Sequence, residues 1–538
     1  LTKGSITIDL VSPTGKGIAF GQTTKPSNIY SVYYEFREKG SISRKYVNTP
    51  GYIIFDGGPQ KSIKLRLISY SRGGGQAIYL GPGSHHIQIK NLIIENATSS
   101  ISDKTWLPMT SYSPVYGFTY TPDTLLQGAQ VLGYSAGVVL RSHLPYDQFE
   151  RDMASIMGLD TIPANNNLIE GNEISGFGYG IVSLGYGQLW RETDYVKYYN
   201  KNNVFSNNTI FNVSRAGIFL GYEENSQVVG NRIYNVSGGN KDAYGIVLGG
   251  EGSSSYKGYN NIGISINRNE ISGVSSNIGA VGIKVEQEAN ILPHPILGEV
   301  VYPDVNESIQ ITNNIVWGLT VGNGNAYRAG IHLLTARQPS SDILTYFLTP
   351  KRVGYYSRNN KIVNNTVVVS PNPGVVSSYP VVGIGIQSAK NTVLMNNAIA
   401  LLDMNVDPSN AVYACVFYQG MMPSEMGLTS DRNAFWYSNG SGGAVYRFVE
   451  TDKDDNILDG GGNRNDFATL EQWQNWTGQD GNSVFGNFTN DFVYQGFEPN
   501  QKLRIQSNPA PLGSLLNNRG SRIDWVTHDI DGNIRGAA

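Results

Sequence analysis

Two short units of alternating apolar and polar residues recur along this chain. The first is an asparagine followed two residues later by isoleucine or valine, and it occurs at Asn91, Asn172, Asn208, Asn231, Asn269, Asn314, Asn365 and Asn397. The second is a glycine followed by alternating apolar residues, and it occurs at Gly137, Gly180, Gly217, Gly245, Gly282, Gly330 and Gly383. Short runs with apolar residues at every second position are typical of β-strands. The two units alternate from Gly137 to Asn397, which predicts a repeat built from strands.

Strand repeats of about 20–50 residues indicate a solenoid, in which each coil buries its apolar face against the neighbouring coils. Ile218, Ile246 and Ile283 are expected to point inward, and the recurrent asparagines are expected to form a buried ladder at a turn. Parallel strands joined by crossovers favour right-handed connections. The predicted fold is therefore all-β, a right-handed parallel β-helix of about eight to eleven coils. The alternative, asparagine-rich loops in a β-sandwich, does not keep two units in phase.

The repeat divides the chain into three parts. Residues 1–50 lack both units and are predicted to cap the first coil, residues 51–402 to form the β-helix, and residues 403–538 to form late coils and a C-terminal cap. In the last part, Asp466 is predicted to be the N-cap of a helix that contains Trp473. Insertions are expected at about 98–135, 187–201, 252–262, 289–308 and 336–358. All but the first follow the glycine unit, so they leave one edge of the solenoid and are predicted to wall a groove.

Composition excludes several classes of protein. The 538 residues carry a formal net charge of −3, without a basic stripe, which argues against a nucleic-acid partner. No apolar run of about 18 residues occurs, so no membrane-spanning helix is expected. Cys415 is the single cysteine, which excludes an internal disulfide framework and a cysteine-based zinc site. The chain begins at Leu1 without an apolar leader, and we expect it to be a mature or excised product.

Three glutamates occupy the same position of neighbouring glycine units. Residues between the inward ones are expected to face solvent, and neighbouring coils lie about 4.8 Å apart. Glu223, Glu251 and Glu288 are then predicted to form a ladder of carboxylates. Several carboxylate oxygens are what Ca²⁺ requires, so Ca²⁺ is the candidate cofactor.

The predicted catalytic residues lie beside this ladder. Lys284 and Glu286 share one strand, and His332 is expected one coil further along. In one interpretation, a metal-neutralised uronate loses its α-proton to Lys284 or His332 in a β-elimination. In another, two carboxylates act as acid and base on a glycosidic bond. The third is an ordinary solvated strand face with weak ion pairs.

Polar and aromatic side chains near these strands are the candidate substrate-binding residues. Aromatic faces stack on sugar rings, although they also pack at protein interfaces. The candidates are Arg141, His143, Tyr186, Trp190, Tyr222 and Arg337. The adjacent His85 and His86 are expected to alternate faces of a strand, which would prevent them from binding one metal ion together.

The repeat resembles the right-handed parallel β-helix superfamily, the pectate-lyase-like fold, over roughly residues 50 to 400. The run Ser84–Asn96 is similar to an early coil of that superfamily. The polygalacturonase-type motifs Asn-Thr-Asp and Gly-His-Gly are absent, and Asp454-Asp455 lies in a tail loop. The Asn-Lys-Ser run of alginate-lyase-like members is absent as well, and its nearest equivalent, Tyr222–Ser226, has no lysine. The resemblance therefore implies a fold without assigning catalytic residues.

Two functions remain open. The first is a secreted enzyme that acts on an extracellular polysaccharide, with metal-assisted β-elimination favoured over hydrolysis. The second is a non-catalytic protein of the cell surface, such as an adhesin, a sugar-binding module or a subunit of a surface assembly. The tail Asp524–Arg535 resembles the ending of secreted bacterial β-helix surface proteins in which more sequence follows. This second hypothesis predicts self-assembly or attachment to a larger surface protein.

Overall fold

The computed structural model shows a parallel β-helix. It describes residues 5–12, 16–20, 50–70, 75–97, 111–113, 118–120, 135–142, 163–185, 187–191, 194–249, 261–288, 292–293, 300–301, 307–336, 356–369, 372, 375–376, 380–402, 413–438, 443–451, 464–493, 503–505, 514–516 and 520–535. Within these ranges, no helix is both long enough and apolar enough to cross a membrane.

Three long sheets form the walls of the β-helix. Sheet 1 contains, in spatial order, Ile6–Ser12, Ile63–Tyr70, Leu92–Asn96, Glu173–Ser175, Thr209–Val213, Arg232–Ser237, Glu270–Ser276, Ile315–Val321, Thr366–Val369, Ala398–Leu401, Ala434–Tyr437 and Val484–Phe485. Sheet 2 contains Lys16–Phe20, Gln76–Leu80, Ala136–Arg141, Tyr179–Leu184, Ala216–Gly221, Ala243–Gly249, Gly279–Glu288, Tyr327–Ala336, Val381–Gln387, Tyr413–Gly420, Ala444–Glu450 and Arg464–Phe467. Sheet 3 contains Ile54–Asp56, Gln88–Lys90, Leu168–Glu170, Val204–Ser206, Gln227–Val229, Ser265–Asn267, Gln310–Thr312, Lys361–Val363, Val393–Met395 and Thr429–Asp431.

The chain visits sheet 3, sheet 1 and sheet 2 in turn, and one such circuit is a coil. The 10 strands of sheet 3 define ten complete coils, numbered here from coil 1 at Ile54–Asp56 to coil 10 at Thr429–Asp431. Ile6–Ser12 and Lys16–Phe20 add an incomplete turn before coil 1. The predicted parallel β-helix and its number of coils are confirmed, while its right-handedness stays a prediction.

Smaller elements flank the coils. Two parallel pairs join Asn200–Lys201 to Glu223–Glu224 and Ser357–Arg358 to Ala389–Lys390. The antiparallel pairs are Gly187–Arg191 with Asp194–Tyr198, Leu292–Pro293 with Val300–Val301, Ser111–Ser113 with Phe118–Tyr120, and Phe492–Val493 with Arg504–Ile505. Among the described residues, the helices are Pro423–Met426, Leu470–Thr477 and a 3₁₀ turn at Thr489–Asp491.

The inward residues of sheet 2 stack in register, as predicted. Ile218, Ile246, Ile283 and Ile331 are direct partners on successive strands, and all are buried. The recurrent glycine comes one residue earlier, where sheet 2 approaches sheet 1. A Cβ atom at Gly217 would lie 2.5 Å from Cγ2 of Ile233 and 2.7 Å from a backbone oxygen. Glycine recurs here because no side chain fits between the two sheets.

The asparagine ladder is also confirmed. Its members are Asn172, Asn208, Asn231, Asn269, Asn314, Asn365, Asn397 and Asn433, all of them buried. In each step an Oδ1 atom accepts hydrogen bonds from the backbone N–H and the Nδ2 of the asparagine in the preceding coil, as at Asn208 and Asn231, both at 3.0 Å. Asn91 does not belong, because Leu92 occupies the ladder position of coil 2. The prediction for Asn91 was therefore wrong by one residue.

Removing one ladder amide should destabilise the fold measurably. Asn231 Nδ2 donates to Phe205 O at 2.8 Å and to Asn269 Oδ1 at 3.0 Å. Asn231→Ala removes the side-chain donor to Phe205 O and the acceptor of two hydrogen bonds from Asn208, so we expect a loss of about 1–3 kcal/mol in the free energy of unfolding. The control is Asn240→Ala, an exposed asparagine of the same coil. Denaturant titrations of both variants should differ, and equal midpoints would contradict the ladder's role.

The C-terminal part differs in detail from the prediction. Thr469, not Asp466, caps the helix Leu470–Thr477, through a capping box with Gln472. Asp466 lies in an antiparallel strand and pairs with Arg447. The position of an N-cap depends on backbone dihedral angles that apolar spacing does not reveal. Residues from this region, including Phe488 and Phe492, cover the outer face of sheet 1 in the late coils.

Candidate functional site

In coils 2 to 5, the outer face of sheet 2 is a second buried layer. Counted from each glycine, the first outward column contains Val139, Val182, Phe219 and Val247, and all four are buried. The sequence interpretation placed this column in solvent, which was wrong. Apolar residues at both alternating positions of a strand are the pattern of a sheet that is covered on both faces.

The same column becomes charged in coil 6. Lys284 follows Val247 in register, and His332 follows Lys284. The Lys284 Nζ atom lies 2.6 Å from Oε2 of Glu286, and their side chains are only 3% and 4% exposed. Nζ also lies 5.5 Å from the centre of the Tyr244 ring. The predicted juxtaposition of Lys284, Glu286 and His332 is therefore present, but it is buried rather than solvated.

Two further charged residues complete this cluster from coils 4 and 5. Asp242 is buried, and its backbone oxygen accepts a hydrogen bond from Nη1 of Arg215, which is also buried. Burial raises the pKa of Asp242, while the nearby charges of Lys284 and Arg215 oppose that rise. Two cationic and two acidic groups thus face each other, because an isolated buried charge would be costly.

Lys284 stays protonated in this environment. Burial alone would lower its pKa, but the charge of Glu286 and the hydrogen bond from Nζ to that carboxylate raise it above its ordinary range. Lys284 is consequently a fixed positive charge and not a proton acceptor at neutral pH. Of the two candidate bases, Lys284 and His332, this protonation favours His332.

His332 has the opposite character. Its Nε2 lies 2.5 Å from Oε1 of Gln387, and Gln387 Nε2 donates to Oε1 of Gln419 at 2.9 Å. With the Gln387 amide oriented in this way, Nε2 carries the imidazole proton and Nδ1 carries the lone pair. The Nδ1 atom itself is buried, and no hydrogen-bond partner for it lies among the described residues. Burial, opposed by the Gln387 hydrogen bond and reinforced by the charge of Lys284, lowers the pKa of His332 to about 4.

Tyr327 borders His332 on the same strand. The two rings are in edge-to-face contact, with their centres 6.5 Å apart. Burial raises the pKa of Tyr327 to about 12, against the opposing effect of Lys284. Its phenol is therefore protonated at neutral pH. Tyr327 and His332 are both partly exposed, so this end of the cluster reaches the surface.

Glu223 does not join the predicted carboxylate ladder. Tyr222 has a φ of 52°, and this left-handed residue reverses the alternation that was counted from Gly217. Glu223 is fully buried and accepts hydrogen bonds from Ser183 Oγ, from Ser226 Oγ at 2.5 Å and from Asn203 Nδ2 at 3.3 Å. The outward placement of Glu223 was therefore wrong.

Burial raises the pKa of Glu223 to about 7, although the surrounding hydrogen bonds act to lower it. Between pH 4.5 and 7 the folded protein keeps a proton that the unfolded chain releases, so this group lowers stability as the pH rises. We expect the wild type to lose about 3 kcal/mol relative to Glu223→Gln across that interval. Unfolding titrations from pH 4 to 8 measure this slope. Glu224→Gln, on the surface beside Lys201, is the control and should follow the wild type.

The remaining predicted site residues are placed as follows. Arg141 is buried at the end of its sheet 2 strand. Tyr222 is buried against Tyr199, with the two ring centres 5.4 Å apart. Trp190 lies in the strand Gly187–Arg191, and Glu288 is the last residue of Gly279–Glu288. His143, Tyr186, Glu251 and Arg337 lie outside the described residues.

The three-glutamate metal site of the sequence hypothesis is not formed with Glu223. Across the described ranges, no group of three or more histidine, cysteine, aspartate or glutamate side chains is arranged to hold a metal ion. Glu251 and Glu288 are the two members of that set to which the Ca²⁺ hypothesis still applies.

Sequence reasoning missed the residues that precede the glycine units. Asp242, Tyr244 and Tyr327 all come shortly before a recurrent glycine, where the chain enters sheet 2. The polar and aromatic residues at these positions could have indicated that their side chains contribute to the cluster around Lys284. The position of Gln387 on its strand was predictable from the repeat, but its contact with His332 depends on the conformations of both side chains.

No protein-family model and no curated protein matches this chain. Solved structures of similar shape include the A-module of the Azotobacter vinelandii mannuronan C-5 epimerase AlgE6, with 11% identity, 83% of this chain and 81% of that chain covered, and a TM-score of 0.37. A double mutant of the periplasmic alginate epimerase AlgG has 12% identity, coverage of 73% and 71%, and a TM-score of 0.35. A DFA-IIIase mutant from Arthrobacter chlorophenolicus A6 has 10% identity, coverage of 82% and 86%, and a TM-score of 0.28. At these scores the similarity carries no functional argument, and the fold rests on the strand pairing described above.

Proposed function

We propose that this protein is a secreted, carbohydrate-active β-helix protein that cleaves an acidic polysaccharide by β-elimination at the outer face of sheet 2. The observation that carries the proposal is the unpartnered Nδ1 of His332 on the strand beside the ion-paired Lys284. Secretion rests on the resemblance of the sequence to surface-type β-helix proteins.

The three groups that β-elimination needs are all in this cluster. When a shift of the side chain brings the buried His332 Nδ1 into contact with the substrate, this atom removes the proton on the carbon that bears the uronate carboxylate. The carbon–oxygen bond to the leaving sugar breaks as the double bond forms, and the Tyr327 phenol gives its proton to the leaving oxygen. The proton on His332 then returns to Tyr327 through solvent, so the cycle is balanced.

Lys284 supplies the positive charge for this reaction. Negative charge develops on the substrate carboxylate as the proton leaves, and a preorganised cation in a water-poor site stabilises it strongly. Glu286 holds Nζ in place at 2.6 Å. Because that carboxylate is engaged by Lys284, elimination is favoured over a hydrolysis that would need two available carboxylates.

A neutral stripe continues from His332 along the β-helix axis. Gln387, Phe417 and Gln419 follow it on coils 8 and 9, and all three are partly exposed. Amide groups suit sugar hydroxyls, and an aromatic face suits a sugar ring. This stripe supports the binding of further sugar units beside the reacting one.

The second candidate function is a non-catalytic surface protein. The nearly complete burial of Lys284, Glu286 and Asp242 favours it, because a buried ion cluster can serve structure alone. In that case the protein binds a polysaccharide or assembles with other surface proteins without cleaving a bond.

A panel of uronate-containing and neutral polysaccharides tests the proposal. Incubations with added Ca²⁺ and with a chelator run in parallel, because metal-assisted elimination through Glu251 and Glu288 is the variant that the sequence suggests. Ultraviolet absorbance of an unsaturated product supports β-elimination. New reducing ends without that absorbance indicate hydrolysis, and retention on a polysaccharide gel without cleavage indicates a binding protein. Either of these results overturns the proposal.

A further inference from the structure

Two adjacent histidines of coil 2 form a separate feature, far along the chain from the sheet 2 cluster. The sequence predicted that His85 and His86 face opposite ways. His86 instead has a φ of 52°, and this left-handed conformation turns its ring to the side of His85. The two Nδ1 atoms lie 3.1 Å apart, and both side chains reach the surface.

The neighbouring coil is shaped around these two rings. A Cβ atom at Gly51 would lie 2.2 Å from Cε1 of His85, so a larger residue here would displace that imidazole from its observed position. The Tyr52 ring stacks on His86, with the centres 4.9 Å apart, and meets the edge of His85 at 5.3 Å. Gly51 and Tyr52 of the preceding coil thus pack against the two imidazole rings and keep them adjacent.

The residue types at this turn depart from the rest of the β-helix. In five later coils the left-handed position is occupied by asparagine, at Asn166, Asn202, Asn225, Asn359 and Asn391. Coils 1 and 2 have Tyr52 and His86 there, with φ angles of 58° and 52°. Larger side chains cost about 1–2 kcal/mol in this conformation, which asparagine tolerates. Strain of this kind is concentrated at functional sites.

We propose that His85 and His86 together bind one divalent transition-metal ion through their Nδ1 atoms. Two imidazole nitrogens at about 2.0–2.1 Å from one ion lie about 2.9 Å apart in square-planar geometry and about 3.3 Å apart in tetrahedral geometry. The observed separation of 3.1 Å falls between these values. Imidazole suits copper, nickel and zinc, and Cu²⁺ is bound most tightly in that series.

Metal binding requires a change of tautomer in one ring. At 3.1 Å, one Nδ1 donates its proton to the lone pair of the other. On binding, that proton leaves Nδ1 and solvent protonates Nε2 of the same ring, so both imidazoles stay neutral and both Nδ1 lone pairs bind the ion, while water supplies the remaining ligands. The ring centres are 5.4 Å apart, so the nitrogens face each other and both rings must turn slightly toward the ion. Surface side chains make such turns at little cost.

The test is a Cu²⁺ titration of the full chain by calorimetry, with electron paramagnetic resonance to count nitrogen ligands. We expect one Cu²⁺ with two imidazole ligands in the wild type. His86→Asn should bind at least tenfold more weakly, and it should fold normally because asparagine occupies this position in five later coils. His85→Gln should show the same loss.

Two controls separate this site from adventitious binding. His528→Gln removes an exposed histidine of the C-terminal segment and should bind Cu²⁺ like the wild type. Tyr52→Asn keeps both ligands and should retain the two-nitrogen spectrum. If His86→Asn binds Cu²⁺ with wild-type affinity and spectrum, or if the wild type binds no Cu²⁺ through two nitrogens, the proposal is wrong.

Discussion

Lys284→Met should destabilise the protein by about 3–5 kcal/mol, because it leaves a buried carboxylate without its cation. Lys284 Nζ lies 2.6 Å from Glu286, and both side chains are almost completely buried. Asp242 also depends on this charge, since Lys284 opposes the rise in its pKa. The free energy of unfolding from denaturant titration measures the loss.

A surface pair of similar length provides the matched control. Lys64 lies 2.7 Å from Glu95, but these side chains are 34% and 27% exposed. Lys64→Met should cost less than about 1 kcal/mol, because water and salt screen a surface pair. The double variant Lys284→Met/Glu286→Leu should recover much of the stability, since it removes both charges. Equal losses for Lys284→Met and Lys64→Met would contradict the buried-cluster description.

His332→Gln should lower turnover on the polysaccharide that the panel identifies by about 10²–10⁴-fold, the usual contribution of a positioned general base. Glutamine can still contact Gln387, but it has no lone pair that accepts a proton at neutral pH. The stability of this variant should change little, because glutamine keeps a polar contact with Gln387 and leaves no buried charge unpaired. A steady-state assay, with an unfolding curve recorded beside it, separates a catalytic loss from a folding defect.

The pH profile gives a second, independent readout. A base works only when it is unprotonated, so activity should fall as the pH drops through about 4, the pKa of His332. An ordinary histidine would lose activity already near pH 6.5. His528→Gln should retain both the rate and the profile. Full activity in His332→Gln would exclude this histidine and favour the non-catalytic surface protein.

Much of the fold could be predicted from local sequence. The ladder asparagines and the glycines of sheet 2 each satisfy a backbone requirement that recurs from coil to coil. The position of these residues in one repeat therefore predicts their position in the others. Ile218 and Ile246 could be assigned inward for the same reason. Asn91 failed because the ladder residue follows a left-handed residue, and asparagine suits both positions.

The candidate site was predictable only in part. Lys284, Glu286 and His332 were brought together correctly, because strand alternation and coil register fix their positions. Glu223 was misplaced because one left-handed residue, Tyr222, reverses the alternation at the end of a strand. His85 and His86 were misjudged for the same physical reason. A single change of φ moves a side chain to the other face of a strand, and this change cannot be predicted from the spacing of apolar residues.

The sequence by itself determined the parallel β-helix, its number of coils, the asparagine ladder and the strand that bears Lys284. These follow from short-range periodicity and from stacking between neighbouring repeats. Only the tertiary structure decided that the outer face of sheet 2 is buried in coils 2 to 5 and that Lys284 is a fixed cation while His332 is neutral. Burial and the identity of a charged neighbour set the protonation of each group, and both arise from residues that are distant in the chain and adjacent in space.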